Sequence, residues 1–270
     1  MSAGADLPAA IILTVSTVFL GLCLGSFATA LVYRIPRGMA WAIPSKDDKI
    51  NRSRCPSCNV ALRIFDLVPV FSWLFSRGRC RHCHAKISVS YPLIELTTML
   101  LTVALFWAWG FSVVSAPLLL AVPFMVAAVI IDWERMILPD DINISLSVLA
   151  VFYVLLSWWN ADWAMDVFAE AALGALLLSG TMFAASYAVS KWKGRPALGQ
   201  GDLKFLPAAG LFLGIAPLPY YLGLSGLLGL FTALLKGEGG RKAAFPFGPA
   251  LIISLYIHVF LTGLGFDYTW

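Results

Sequence analysis

Eight apolar runs, all but the sixth near or above the length that crosses a bilayer, constrain this 270-residue chain more than any other feature. They are Leu7–Tyr33, Pro92–Trp109, Val113–Ile131, Ile142–Trp159, Val167–Val189, Leu203–Ile215, Pro219–Leu235 and Pro246–Leu264. A hydrocarbon layer of roughly 30 Å is spanned by about 20 apolar helical residues, because lipid offers no partner to a free N–H or C=O and a helix satisfies its own. Only 13% of the residues are charged and the mean hydropathy is +0.82. Soluble domains carry roughly 25% charged residues, so an ordinary soluble core is excluded. The expected fold is an all-α polytopic membrane protein in the lipid bilayer, with about eight transmembrane helices. The N-terminal run lacks a basic leader and is too long for a signal-peptide core, so it reads as a retained span.

Charge placement orients the spans. If all eight cross, every one of the 19 Lys and Arg residues falls on one side: in the Arg34–Lys86 region, at Arg135, in Lys191–Lys204 and in Lys236–Lys242. The opposite side carries Asp6, Asp162, Asp166 and Asp267. Basic loops stay in the cytoplasm, so this bias puts both termini outside it. The short, Gly- and Pro-containing sixth run is kept as a span because dropping it breaks the alternation. Topology accounts for the basic balance, and nucleic acid is not expected as a partner.

One long polar stretch interrupts the pattern. The expected organisation is a first span at 1–33, a cytoplasmic insert at 34–91 and a membrane core at 92–270. The insert holds Cys55-Pro56-Ser57-Cys58 and then Cys80-Arg81-His82-Cys83. Two C-x-x-C pairs at this separation match a zinc ribbon, each tight turn presenting two thiolates to one tetrahedral ion. A closed four-thiolate shell leaves no open position, so the zinc is expected to be structural and to contribute folding free energy to an insert too short for its own core. Two disulfides are the competing reading, disfavoured on a reducing side of the membrane. A redox C-x-x-C is the other, disfavoured by the presence of two pairs. His82 and His84 read as surface histidines, and Cys23 as a small packing residue of the first span.

Acidic residues beside hydrocarbon are costly and tend to be functional. Asp132 closes the third apolar run, ahead of Leu138-Pro139-Asp140-Asp141. Asp202 opens the sixth within Gly199-Gln200-Gly201-Asp202, where the glycines suggest a backbone break that aims a carboxylate into a site. Both fall on the basic face of the membrane. Two carboxylates in hydrogen-bond reach at a poorly solvated site share one proton. One then activates water while the other polarises a scissile carbonyl, which is amide hydrolysis without a covalent enzyme intermediate. No Ser–His arrangement competes, since His258 lies deep in the last run. A membrane transporter would favour charges at mid-bilayer, and a scaffold built on the metal knot would leave Asp132 and Asp202 without a role.

The ordered motifs go further. Gly25-Ser26-Phe27, Arg34-Ile35-Pro36, the two C-x-x-C pairs, Tyr91-Pro92-Leu93-Ile94-Glu95, Asp132 with Leu138-Pro139-Asp140, Gly199-x-Gly201-Asp202-x-Lys204 and Pro246-Phe247-Gly248-Pro249 follow one another along nearly the whole chain. In this set the sequence resembles the type IV prepilin peptidases, bifunctional leader peptidase and N-methyltransferase enzymes of the bacterial inner membrane. The resemblance implies substrates that are type IV prepilins or pseudopilins, cut at the cytoplasmic face. It implies methylation of the new N-terminus with S-adenosylmethionine as donor, and Asp132 and Asp202 as the catalytic pair, with Asp140 in a supporting place. Thr29 stands where many such relatives carry Asn. A peptidase without methylation remains the alternative within the class.

Overall fold

The computed structural model describes residues 7–41, 53–110, 112–194, 196–236 and 245–268. Of the basic segments, Arg195, Arg241 and Lys242 lie outside these residues, as do Lys46, Lys49, Arg52 and Asp6 on the two sides. Among the described residues the chain is helical, without strands: α1 (Leu7–Arg34), a short α2 (Phe71–Phe75), α3 (Ser90–Trp109), α4 (Ala116–Arg135), α5 (Asp140–Asn160), α6 (Met165–Lys193), α7 (Gln200–Leu213), α8 (Leu218–Lys236) and α9 (Gly248–Gly263). Six of these are long and apolar enough to cross a membrane. The chain is a multi-pass membrane protein.

Two of the eight expected spans fall short of that length. Helix α7 has 14 residues and α9 has 16, which at 1.5 Å per residue is about 21 and 24 Å. Local chemistry sets both limits. Gly199 caps the start of α7 and Gly214, at φ 68°, stops it. Pro249 opens α9 in the first turn, where a missing N–H costs nothing.

Hydroxyls inside the apolar helices find partners without water. Thr98, Thr102, Thr181, Ser145, Ser147 and Thr262 each donate to the carbonyl four residues earlier, at 2.7–2.9 Å. That is how a polar side chain is tolerated in hydrocarbon.

The chain divides into two compact units, Met1–Ala104 and Leu105–Trp270. In the first, Gly21 and Gly25 bring α1 against α3: a Cβ on Gly21 would stand 2.9 Å from the Met99 Cα, and one on Gly25 would stand 2.7 Å from the Glu95 Cα. Small residues four apart let apolar helices meet without a hydrophobic driving force. Cys23, on the same helix, is exposed, so it does not serve the packing role expected for it. The second unit is organised around α4, whose apolar window is 67% buried, against 17% for α6. Helix α4 packs on α5 and α9, and α7 packs on α5, α6 and α9. The four helices α4, α5, α7 and α9 therefore close a ring. The expected histidine of the last run, His258, is buried in this unit: its Nδ1 hydrogen-bonds Ser254 O at 2.8 Å and its ring stacks on Tyr268.

Candidate active site

Asp132 and Asp202 stand on opposite members of that ring, Asp132 in the last turn of α4 and Asp202 in the first turn of α7. Both are buried, with 4% and 8% exposure. The Asp132 charge acts on the Asp202 carboxyl, so the two lie in electrostatic reach of each other. For Asp132 the position is unfavourable. A carboxylate at a helix C-terminus meets the negative end of the macrodipole. What offsets it comes from another element: the Gly248 N–H, at the start of α9, donates to Asp132 Oδ2 at 3.0 Å. Only glycine permits this, since a Cβ on Gly248 would stand 2.7 Å from the same oxygen. The turn is itself wedged in place, with the Phe247 ring against Gly229 of α8 and the Thr232 hydroxyl directed at Pro246 O. Lys236, closing α8, donates to Trp133 O and covers the Trp133 ring at 4.7 Å, bringing a cation near Asp132.

Asp202 is held differently. It is the third residue of α7, with its carboxylate turned back towards the Gly199 backbone N–H at the helix start. Gly199-Gln200-Gly201-Asp202 is thus a cap and first turn, not the backbone break expected from its glycines, and neither glycine has positive φ. Gly201 is needed for proximity instead: a Cβ there would stand 2.8 Å from Leu138 O. The same turn is tied to α5 twice. Asn143 Nδ2 donates to Gly201 O at 3.1 Å, and Lys204 pairs with both Asp140 oxygens at 2.7 and 2.9 Å. The latter pair is exposed on both sides, so it fixes register more than it adds stability.

Two buried polar atoms have no hydrogen-bond partner among the described residues: Asn143 Oδ1, beside the first turn of α7, and the Tyr221 hydroxyl, on which the Asp202 charge acts. Buried orphans of this kind call for a water or for a polar group of a ligand. Asn143, Tyr221, Lys236 and the Gly248 N–H were not anticipated from sequence. Only the Leu-Pro-Asp and Pro-Phe-Gly-Pro motifs lying next to two of them carried a signal.

The four cysteines of the insert gather in the first unit, with all Sγ atoms within 4.8 Å of one another and Cys55 and Cys83 at 3.9 Å. A tetrahedral shell with Zn–S near 2.3 Å requires sulfurs about 3.8 Å apart, so the cluster fits the ion. Two matching knuckles build it. The N–H groups of Asn59 and His84 donate to Cys55 O and Cys80 O, those of Cys55 and Cys80 donate to Val60 O and Ala85 O, and Asn59 and His84 take the left-handed turn position at φ 57° and 55°. His84 is therefore a turn residue and His82 is exposed; neither joins the cluster. N–H groups of Cys58 and Ser57 pull the Cys55 thiol down to about 6, which favours a thiolate at neutral pH.

Two family models match the chain: the Bacterial Peptidase A24 N-terminal domain over residues 19–109 and the Type IV leader peptidase family over residues 119–234. A prepilin leader peptidase/N-methyltransferase of Neisseria gonorrhoeae is 32% identical over 256 residues, covering 88% of this chain and 87% of that protein. The chain belongs to the type IV leader peptidase family. Other members with the same description include one from Aeromonas hydrophila, 34% identical over 265 residues (90% of this chain, 89% of that protein), and one from Pectobacterium carotovorum, 32% identical over 263 residues (90% and 91%). No solved structure matches the chain. The two family models divide the sequence between the cysteine-bearing half and the half that holds Asp132 and Asp202.

Proposed function

We propose that this chain cleaves the leader peptide of type IV prepilins or pseudopilins with Asp132 and Asp202 as a two-carboxylate pair, and then methylates the new N-terminus using S-adenosylmethionine. One observation carries the peptidase half: two buried carboxylates face each other's charge from α4 and α7, each oriented by a backbone N–H. In a site this poorly solvated the pair holds one proton between them. The ionised member takes a proton from water as it attacks the scissile carbonyl. The protonated member gives its proton toward the carbonyl oxygen, and the leaving amine recovers a proton as the C–N bond breaks. The orphaned Tyr221 hydroxyl and Asn143 Oδ1 offer polar partners for that water or for the substrate backbone.

A prepilin presents a short basic leader ahead of a hydrophobic helix. Cleavage at their junction suits carboxylates at helix ends: Asp132 ends α4 and Asp202 begins α7. On this reading the chain resides in the bacterial inner membrane with both termini periplasmic and the aspartates facing the cytoplasm. A reporter fused after Ala161 is expected to report the periplasm and one after Lys193 the cytoplasm. A cytoplasmic signal at Ala161 would put the aspartates on the wrong face for a leader. Cys55, Cys58, Cys80 and Cys83 would hold a zinc ion whose contribution is to fold the insert. The paired description of the family's relatives supports the methyl-transfer half. Co-expression with a prepilin followed by intact-mass measurement tests both steps, the expected product being the leaderless chain plus one methyl group; an unprocessed prepilin overturns the reading.

Asn143 serves in this scheme as a positioning residue, holding Gly201 O and so the first turn of α7. Asn143→Ala leaves that carbonyl without its donor, and a small displacement of Asp202 is expected to lower kcat by roughly ten- to a hundredfold with little change in KM. Asn143→Asp, which loses the donor and adds a third carboxylate, should be worse than alanine. Wild-type kcat in both variants would remove Asn143 from the mechanism.

A further inference from the structure

The first unit contains an open cleft of about 770 Å³, bounded by the last turns of α1, the start of α3, α2 and the cysteine knuckles. Its volume falls in the roughly 300–1,000 Å³ range of small-molecule sites. Ser26, Thr29 and Ala30 line it from α1, Tyr91 and Glu95 from α3, and Trp73 from α2. Among these residues Glu95 is buried, 9% exposed. The Glu95 Oε2 accepts the Val70 N–H at 2.6 Å, and no cation pairs with it among the described residues, where the ion pairs are Arg81–Asp66 and Lys204–Asp140. A buried carboxylate without a cation is costly.

The backbone around Glu95 is constrained as well. Val70 adopts φ 62°, ψ −51°, a region β-branched residues avoid, and its N–H is the one Glu95 holds. Trp73 is held along one edge: its Nε1 donates to Ile87 O at 3.1 Å, and the same edge lies on Gly78, where a Cβ would stand 2.8 Å from the ring. The cleft thus presents a rigid aromatic wall, a buried carboxylate without a cation partner among the described residues, and a rim of exposed arginines, of which Arg81 pairs with Asp66 while Arg54 and Arg79 have no carboxylate partner among the described residues.

We infer that this cleft binds the sulfonium methyl donor, with Glu95 facing the positive sulfur, Trp73 and Tyr91 flanking the donor's purine ring and the arginine rim receiving its amino-acid carboxylate. The inference rests on the methylation reading above and supplies the site that reading lacks. Each element matches a different part of one ligand: a carboxylate attracts a sulfonium, aromatic faces accept both a cation and a flat base, and guanidinium groups pair with carboxylates. In the transfer, the lone pair of the deprotonated N-terminal amine forms the new N–CH3 bond as the C–S bond breaks. The bonding electrons go to sulfur, which becomes a neutral thioether, and the methylated ammonium later releases its proton to solvent. The charge that Glu95 meets disappears in that step, so the site should hold the donor in preference to its product.

That asymmetry separates donor recognition from a structural role for Glu95. Calorimetric titration of the detergent-purified full chain with S-adenosylmethionine, and separately with S-adenosylhomocysteine, reads it. Glu95→Gln keeps an acceptor for the Val70 N–H and removes only the charge. It is expected to weaken donor binding by about tenfold or more while changing thioether binding less than about threefold. Ala30→Leu fills the cleft beneath the donor and should weaken both ligands. Variants are first matched to the unmodified chain by melting temperature and elution as one species. Equal losses for donor and thioether in Glu95→Gln overturn the role of the charge, and unchanged donor binding in Ala30→Leu overturns the location. An unmodified chain that binds no donor overturns the cleft and the methylation reading together, leaving leader cleavage untouched.

Discussion

Asp132→Asn and Asp202→Asn are each expected to abolish leader cleavage while the protein still inserts. The amide is nearly isosteric with the carboxylate and can still accept the Gly248 N–H or the Gly199 N–H that orients it. It cannot take a proton from water, and it cannot share one with its partner. Each single loss should therefore be near total and the double substitution little worse, as for residues acting as one unit. Asp140→Asn is the contrasting control: its pair with Lys204 is exposed, and exposed pairs contribute about 0–1 kcal/mol, so much of the activity should remain. Cleavage of a prepilin by single-site variants in membranes, with insertion checked by reporter, measures this. An Asp132→Asn or Asp202→Asn protein that cuts at close to the unmodified rate removes that residue from the pair.

The second large effect is expected at the metal knot. Changing Cys55 and Cys58 together to Ser leaves two thiolates, too few for a closed shell, and zinc content should drop from about one ion per chain to none. Structural zinc contributes on the order of 10 kcal/mol to the folding of small metal-held modules. Two short knuckles, each with a single bridge, Arg54–Ala61 and Arg79–Lys86, have little to replace it. Amide hydrogen exchange across residues 53–89 should become fast in the variant while α4 and α5 stay protected. Because Cys55 and Cys80 also line the cleft, donor binding should fall with the fold of the knuckles, and that loss would not make the metal catalytic. Zinc-free protein with an ordered insert would sink the structural role.

Much of the fold was legible because membranes simplify the problem. Lipid demands continuous helices, so run length and Lys/Arg placement read out helix count and alternation. The run Ile142–Trp159 lies within α5 and differs from it only at the polar ends, and the run Val113–Ile131 overlaps α4 from Ala116 on, the helix starting three residues later and continuing four further, to Arg135. The shortness of α7 was already visible in the sixth run, Leu203–Ile215; that of α9 was not, since the apolar run Pro246–Leu264 does not reveal that the helix opens only at Gly248, with a proline in its first turn, and ends at Gly263. The cysteine cluster was legible for a similar reason. The C-x-x-C spacing is a local geometry, and two knuckles of one shape need only meet.

The glycines of Gly199-x-Gly201-Asp202 show the limit. Sequence could say that a residue without Cβ was wanted there, but not why. The answer is Leu138 O, 63 positions away and brought close only by packing α5 against α7. The Pro246-Phe247-Gly248-Pro249 motif was likewise visible as a motif, while its use, an N–H delivered to Asp132 across 116 residues, was not. What the amino-acid sequence determined by itself was therefore everything that depends on neighbours along the chain: the helices, their apolar character, the cysteine knuckles and the identity of two acidic residues at helix ends. What the tertiary structure alone decided was which backbone group each carboxylate faces, that Asn143 holds the first turn of α7 and Tyr221 lies in reach of the Asp202 charge, and that Glu95 lies buried in the lining of a cleft. Hydrogen bonds reach about 3 Å, and no pattern along one chain specifies which distant residues will come within that distance.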